Sequence, residues 1–440
     1  MTHHTINRTV VSGCVAVALT AAACSGSGSG DSTAPADSRS STTSTATPQP
    51  TAPDSDRVDL IEPTFSDPTA IDNPLMPISE LESAILLGND EGHPIRIETV
   101  LLPERKVIDV DGQEVETRTV QFVAFLDGRI HEVATDWYGQ DDDGNVWYFG
   151  EDVYNYEDGT VADTEGTWIA GEDGPPGMIM PADPQVGQVY RPENIPGSVF
   201  EEVTVRSVDV AVEGPRGPLE GAMVGEENHV LENSYEDKTF APGYGEFRSG
   251  VGGNLEALAI GVPTDSQSGG VPAELRAIAD GARDIFDAAG AGESGDWRTA
   301  TAALGAMNAA WRAHQADVHV PPLLAVQMDN ALDAEMAALD LELQFRPATE
   351  VDVARFRVWA DQLAVDSTAG EPDPGNVAGD VSSLEWVWDR IAHTLDRSTV
   401  REIEGQLDDL RTAADDEDVP RAAELAPRLV ESASGLSPSA

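Results

Sequence analysis

Between residues 63 and 262 the chain repeats one local pattern, a short run of β-branched, aromatic or alternating residues followed by a turn signal. The runs include Ile95–Leu101, Val115–Leu126, Val146–Phe149, Val199–Val212 and Ala222–Leu231. The separators are Asp111-Gly112, Asp127-Gly128, Asp143-Gly144, Asp158-Gly159 and Pro242-Gly243. An Asp-Gly pair reaches the positive φ of a tight hairpin at little cost, so it joins neighbouring antiparallel strands. This stretch predicts one mostly antiparallel β domain. All seven tyrosines lie within it, between Tyr138 and Tyr244.

Thr264 to Pro272 is a linker by composition, and after it the apolar period becomes helical. Ala300, Leu304, Met307, Trp311 and His314 follow one another at steps of four and three, and so do Val377, Val381, Leu384, Trp388, Ile391 and Leu395. Each stripe predicts a helix with one face on a core. Helices are expected near 273–289, 297–315, 321–345, 350–366, 376–396 and 399–433, the last broken around Pro420. Asp296 is a candidate cap, Pro321 suits a first turn, and Thr399 with Glu402 has capping-box spacing. An antiparallel helical bundle is the natural assembly.

The first 23 residues carry the marks of an export signal: a polar start ending at Arg8, an apolar run from Val10 to Ala23, then a cysteine. That run is too short for a permanent membrane span. Leu19-Thr-Ala-Ala-Ala-Cys24 resembles a bacterial lipobox, whose cysteine is lipidated after cleavage. Cleavage before Cys24 leaves a usable apolar core, whereas cleavage before Cys14 does not. The mature chain then keeps no free thiol, which excludes disulfides, thiolate metal sites and cysteine nucleophiles. From Ser25 to about Arg57 the chain is Ser, Thr, Gly, Pro and Asp, a composition that predicts a disordered stalk.

The formal net charge is −53, and Lys106 and Lys238 are the only lysines. Nucleic acid and bare anionic lipid are poor partners for such a surface. The expected partners are a membrane, reached through the N-terminal lipid, and an envelope protein or small ligand.

A chain of motifs carries a resemblance. It starts at Asp136-Trp-Tyr-Gly-Gln-Asp-Asp-Asp-Gly-Asn-Val-Trp-Tyr-Phe-Gly-Glu151 and continues in Glu165-Gly-Thr-Trp168, Gly177-Met-Ile-Met-Pro181, Val186-Gly187, Tyr235 and Ala241-Pro-Gly-Tyr-Gly245. Residues 63 to 262 resemble a family of uncharacterised bacterial secreted proteins and lipoproteins with a single β-rich domain. The resemblance implies a curved antiparallel sheet of half-barrel type, and no catalytic residues. Asn73-Pro-Leu-Met-Pro77 looks like the family's opening, but the strand expected soon after it is poor in aromatics here. The helical half is similar to all-helical domains of exported actinobacterial proteins.

Several residues are candidate site groups, each with a plainer reading beside it. Asp141, Asp143 and Asn145 alternate as oxygen ligands do in calcium loops, but the glycine and the following strand fit a hairpin turn better. Trp137, Tyr138, Trp147, Tyr148 and Trp168 suit a ligand platform on one sheet face, and alternation sends about half of such rings into the core. His314 and His319 are candidate metal ligands, although a core histidine is the better account of His314. His-Glu-x-x-His, Gly-x-Ser-x-Gly and Walker motifs are absent from the sequence, and Gly290-Ala-Gly-Glu-Ser-Gly295 follows a helix, where the dinucleotide turn cannot form.

The expected architecture is therefore α+β in two domains: signal 1–23, anchor and stalk 24–62, curved antiparallel β domain 63–262, linker 263–272 and helical bundle 273–440. The expected role is non-enzymatic binding or scaffolding at the outer face of a cell membrane, with no cofactor. Carriage of a lipid in the β domain is the alternative, and a carboxylate-based hydrolase is the third.

Overall fold

The computed structural model describes residues 50–289, 296–330 and 334–437. Cys24 and the signal segment lie outside them. Among the described residues, no helix is long and apolar enough to cross a membrane.

Among the described residues, fifteen antiparallel strands form one open sheet. The first six are β1 (Ser83–Asp90), β2 (His93–Val110), β3 (Gln113–Leu126), β4 (Arg129–Gln140), β5 (Val146–Glu157) and β6 (Thr160–Asp163). Four short strands follow: β7 (Trp168–Ile169), β8 (Gly177–Met180), β9 (Val189–Tyr190) and β10 (Asn194–Ile195). The last five are β11 (Val199–Gly214), β12 (Gly217–His229), β13 (Ser234–Ala241), β14 (Gly245–Val251) and β15 (Asn254–Val262). Across the sheet the order runs from β10 through β11 to β15, then β1 to β6, so β1 sits between β15 and β2. The aromatic-poor segment expected to be weak is thus a central strand, carried by Ala84, Ile85 and Leu86.

The Asp-Gly reading of the turns holds. Asp111-Gly112, Asp127-Gly128 and Asp158-Gly159 all have positive φ at both residues, the type I′ geometry that matches strand twist, and Glu91-Gly92 does the same between β1 and β2.

Among the described residues eight α-helices follow: α1 (Ala273–Ala289), α2 (Trp297–Asp317), α3 (Pro322–Asn330), α4 (Ala334–Glu342), α5 (Ala348–Thr368), α6 (Pro374–Ile391), α7 (Arg397–Asp415) and α8 (Val419–Ser434). Asp296 caps α2 by accepting from the Thr299 amide. The cap of α7 is not Thr399 but Asp396, whose carboxylate accepts from the Ser398 and Thr399 amides. The break before α8 falls at Asp418, and Pro420 sits in that helix's first turn, where its missing N–H costs nothing.

The helices share their cores with the sheet. Val123, Phe125, Ile130, Val133 and Tyr156 pack with apolar residues of α5 to α8. Ile85, Ala259, Ile260 and Val262 pack with residues of α1 to α5. Phe125 stacks on Trp359 with ring centroids 5.5 Å apart. Beneath these contacts lies a buried ionic network of three arginines and three acids: Arg96 and Glu98 on β2, Asp340 on α4, Asp352 and Arg355 on α5, and Arg390 on α6. Opposite charges in equal number meet there, so neither side is left desolvated and unpaired.

The boundaries also shift. Residues 52–58 already belong to the β body: the Ala52 amide donates to Glu202 at 2.7 Å and the Val58 amide to the Val189 carbonyl at 2.9 Å. The linker is pinned as well, because buried Asp265 accepts from Tyr244 Oη at 2.7 Å and from the Gly261 amide at 2.9 Å. Thr264 Oγ1 donates to the Gly243 carbonyl at 2.7 Å and Gln267 Nε2 to Gln344 at 2.6 Å, so a stretch that reads as linker by composition is held at several points.

Candidate functional site

Strand alternation sends one face of the sheet to the helices and the other inward. Register across the strands fixes which residues share the inner face: Thr99 with Phe122, Val120 with Asp136, Phe122 with Ala134, and Asp136 with Glu151. The sheet curls around this face, and residues of β1 to β5 and β14 line a single cavity of about 110 Å³. Segment 76–81 and Tyr244 complete its wall.

The cavity lining is divided. Ile78, Leu81, Leu86, Ile97, Leu101 and Phe122 supply an apolar side, while Glu132, Asp136, Glu151 and Glu246 supply carboxyl groups, and among the described residues no Lys, Arg or His belongs to the lining. Tyr148 Oη donates to Asp136 Oδ1 at 3.1 Å and Tyr138 Oη to Oδ2 at 3.4 Å. These bonds favour the carboxylate, but burial outweighs them and holds Asp136 at about 7. Burial, aided by the charge of Asp136, raises Glu132 to about 7 as well. Burial and then the Asp136 charge push Glu151 well above the usual carboxylate range. Glu193, also buried, is pushed up by burial and then by the charges of Glu201 and Glu151, and takes the Trp168 indole N–H at 3.1 Å.

The acidic lining continues beyond the cavity towards β11, β12 and β13. There Glu201, Glu227, His229, Glu236 and Lys238 are all buried. His229 Nδ1 lies 2.7 Å from Glu201 Oε1 and its Nε2 lies 3.5 Å from Glu236 Oε1. Lys238 Nζ lies 2.6 Å from Glu227 Oε2. Burial opposes the charge on His229, yet the Glu201 carboxylate outweighs it and holds the imidazolium well above its ordinary pKa.

The residues singled out from sequence take other places. Asp141 is buried and accepts from the Asp143 and Asn145 amides at 3.0 and 2.8 Å, from Asn145 Nδ2 at 2.8 Å and from Trp147 Nε1 at 2.8 Å. Its lone pairs organise the β4–β5 turn, and Asn145 Oδ1 is taken by the Ala182 amide. The geometry is that of the hairpin. Trp137, Tyr138, Trp147, Tyr148 and Trp168 are all buried, so this set forms no exposed platform. Tyr138 stacks on Tyr148 with centroids 4.8 Å apart, Tyr148 meets Trp168 edge to face at 5.4 Å, and Tyr138 alone of the five lines the cavity. His314 is buried against Trp311, and His319 Nε2 meets the Pro215 carbonyl at 2.9 Å. Among the described residues, neither histidine belongs to a convergent set of metal-type donors. Among the described residues the one convergent set of metal-type donors is Glu201, Glu227 and His229.

Sequence reasoning missed the inward carboxylates. Their signal is alternation that places charge where a core strand should place apolar groups: Glu227 with His229, and Glu236 with Lys238, each two residues apart on facing strands. In a chain with 79 acidic residues that signal is hidden by the background.

Comparison of the chain with protein-family models, curated proteins and solved structures returned no match.

Proposed function

We propose that the protein is an envelope lipoprotein, anchored through Cys24 at the outer face of a membrane, whose β part binds a small organic cation with an apolar body. One observation carries this reading: the cavity joins an apolar wall to four carboxyl groups and includes no basic residue in its lining. Carboxyls held near neutrality by burial ionise when a positive charge settles beside them, so an ammonium group gains a Coulombic partner inside a low-dielectric site. The apolar wall then covers the rest of the ligand.

The volume narrows the class. A cavity of ~150 Å³ is filled by benzene, so 110 Å³ suits a short alkylamine better than an acyl chain. Carriage of a whole lipid receives less support from this cavity than binding of a small amine.

The test is calorimetric titration of the purified protein with n-butylammonium and, separately, with n-butanol. The amine is expected to bind and the alcohol not, with Asp136→Asn and Glu132→Gln each weakening the amine. Equal binding of both would move the reading to hydrophobic carriage, and no binding of either would end it.

The carboxyl pair Glu151–Glu193 favours a second reading, acid–base hydrolysis of a small cationic ester. Turnover of an acetylated amino alcohol is the outcome that reading requires, whereas the binding reading expects none.

A further inference from the structure

Beyond the amine-binding cavity, we infer that Glu201, Glu227 and His229 form a second site, which takes a divalent transition-metal ion of the zinc class, with the Tyr190 hydroxyl beside it.

Convergence comes first. One donor atom from each of the three side chains lies within 4.8 Å of the others. Zinc bonds of ~2.0–2.2 Å in a tetrahedral arrangement place neighbouring ligand atoms roughly 3.4 Å apart, so small rotations of existing side chains complete the geometry. The backbone supplies this convergence. His229 on β12 stands directly across from Glu201 on β11, and Glu227 points to the same side two residues earlier. Side chains placed by ladder register on adjacent strands form a more rigid site than loop residues do.

An independent observation comes from a residue that is not an acid. Tyr190 on β9 is fully buried, and its hydroxyl has no hydrogen-bond partner. Tyr190 and Glu227 both pair with Val203, from opposite sides, so the three strands set them on one face. Glu227 and Lys238 are the charges that act on that hydroxyl. A buried hydroxyl left unbonded loses the hydrogen bonds it makes in water, and a metal ion or its bound water at this point satisfies it. Glu201 Oε2 is likewise buried and without a partner.

Charge favours a cation. Glu201, Glu227 and Glu236 carry negative charge when ionised, Glu232 adds to it from 4.0 Å, Lys238 returns one positive charge, and a ligating imidazole is neutral. A divalent ion offsets the excess of carboxylates. The donor set of one imidazole and two carboxylates suits zinc or manganese and does not suit calcium, which takes oxygen ligands only. Lys238 orients Glu227 through its 2.6 Å contact, as outer partners orient metal ligands. Glu232, on the β12–β13 turn with its carboxylate 4.0 Å from His229 Nδ1 and 16 % exposed, offers a route from solvent.

The experiment is titration of ZnCl₂ into chelator-treated, purified full-length protein by calorimetry, with Co²⁺ absorption as a second readout of ligand geometry. One ion per chain is expected, with ligand-field bands for Co²⁺. Glu201→Gln and His229→Gln are each expected to weaken binding at least 100-fold, and Tyr190→Phe about 10-fold. His314→Gln is expected to change nothing. Near-ultraviolet circular dichroism of each variant separates loss of the site from loss of the fold. If a variant misfolds, competition of Zn²⁺ against Ca²⁺ in the unaltered protein decides the matter, since preference for Ca²⁺ would overturn the site. Absence of binding, or binding unchanged in correctly folded Glu201→Gln and His229→Gln, would overturn it as well. Because n-butylammonium addresses a different cavity, the two proposals fail separately.

Discussion

Arg96 on the second strand and Asp340 on the fourth helix, 244 residues apart, form a two-pronged ion pair with Nε–Oδ2 at 3.0 Å and Nη2–Oδ1 at 2.7 Å. Asp340 also takes Arg355 Nη2 at 2.7 Å and Gln327 Nε2 at 2.9 Å, so a strand and three helices converge on one carboxylate. The pair joins the outer face of the sheet to the helical layer at a point with almost no solvent.

Removing one member of that network leaves its partners charged, buried and short of a counterion. Arg96→Met is therefore expected to destabilise the protein by about 3–5 kcal/mol. Urea denaturation, followed by tryptophan fluorescence and by far-ultraviolet circular dichroism, checks both the size and the cooperativity. A loss below about 1 kcal/mol would mean that water reaches the network and that docking rests on apolar contacts alone.

The two faces of the sheet respond to pH in opposite senses. On the outer face Arg355, Arg96 and Arg390 overcome burial and hold Glu98 well below the usual carboxylate range, and Arg96 and Arg355 lower Asp340. Groups depressed in this way contribute stability above the unfolded value of roughly 4, and it is lost as pH falls through their folded values. On the inner face Glu132 and Asp136 stand at about 7. The folded chain then binds more protons than the unfolded chain between roughly pH 4 and 7, so stability declines as pH rises through that window. The melting temperature is expected to peak in mild acid and to drop between pH 5 and 8. Glu132→Gln is expected to flatten that drop. Scanning calorimetry from pH 3 to pH 9 reads both, and a melting temperature that climbs from pH 5 to 8 would contradict the assignment of neutral inner carboxyls.

Gly159 marks the closest approach of hairpin and helix. It has φ +73°, and a Cβ there would lie 2.0 Å from the Gly375 carbonyl oxygen and 2.5 Å from the Gly379 amide at the start of α6. Gly159→Ala combines a left-handed conformation with a backbone collision, so a loss on the order of 3 kcal/mol is expected. Gly112→Ala serves as the control: it has φ +88° with nothing within 4 Å of the added atom, so it keeps only the conformational cost. Equal denaturation midpoints for the two variants would show that α6 yields to the turn.

The repeated Asp-Gly pairs and the 3.6-residue stripes make most of the fold legible, because both express local backbone and burial rules. The stripe from Val377 to Ile391 is buried along its length, whereas Leu304 in the other stripe is 52 % exposed, since a helix at the edge of the assembly turns part of its apolar face to solvent. What local rules do not express is the long-range placement of charge. Asp265 looks like linker and is buried; Glu98 and Glu151 look like any other acid and lie in opposite electrostatic settings. Only the register of distant strands separates a carboxylate held by three arginines from one facing a cavity of its own kind.

Ala134 offers a test of whether the cavity is the ligand site. It is 3 % exposed, sits on β4 directly opposite Phe122 on one side and Val153 on the other, and its methyl group lines the cavity. Ala134→Leu sends three more carbon atoms into about 110 Å³ without disturbing a hydrogen bond. Filling an existing void adds apolar contacts, while overpacking costs ~1–3 kcal/mol, so the net change in stability is expected to stay within about 1 kcal/mol. Binding of n-butylammonium is expected to fall at least tenfold. Calorimetric titration and urea denaturation of the same preparation distinguish the outcomes: binding that survives in a stably folded Ala134→Leu protein places the amine on the acidic exterior, where affinity should instead weaken steeply with added salt.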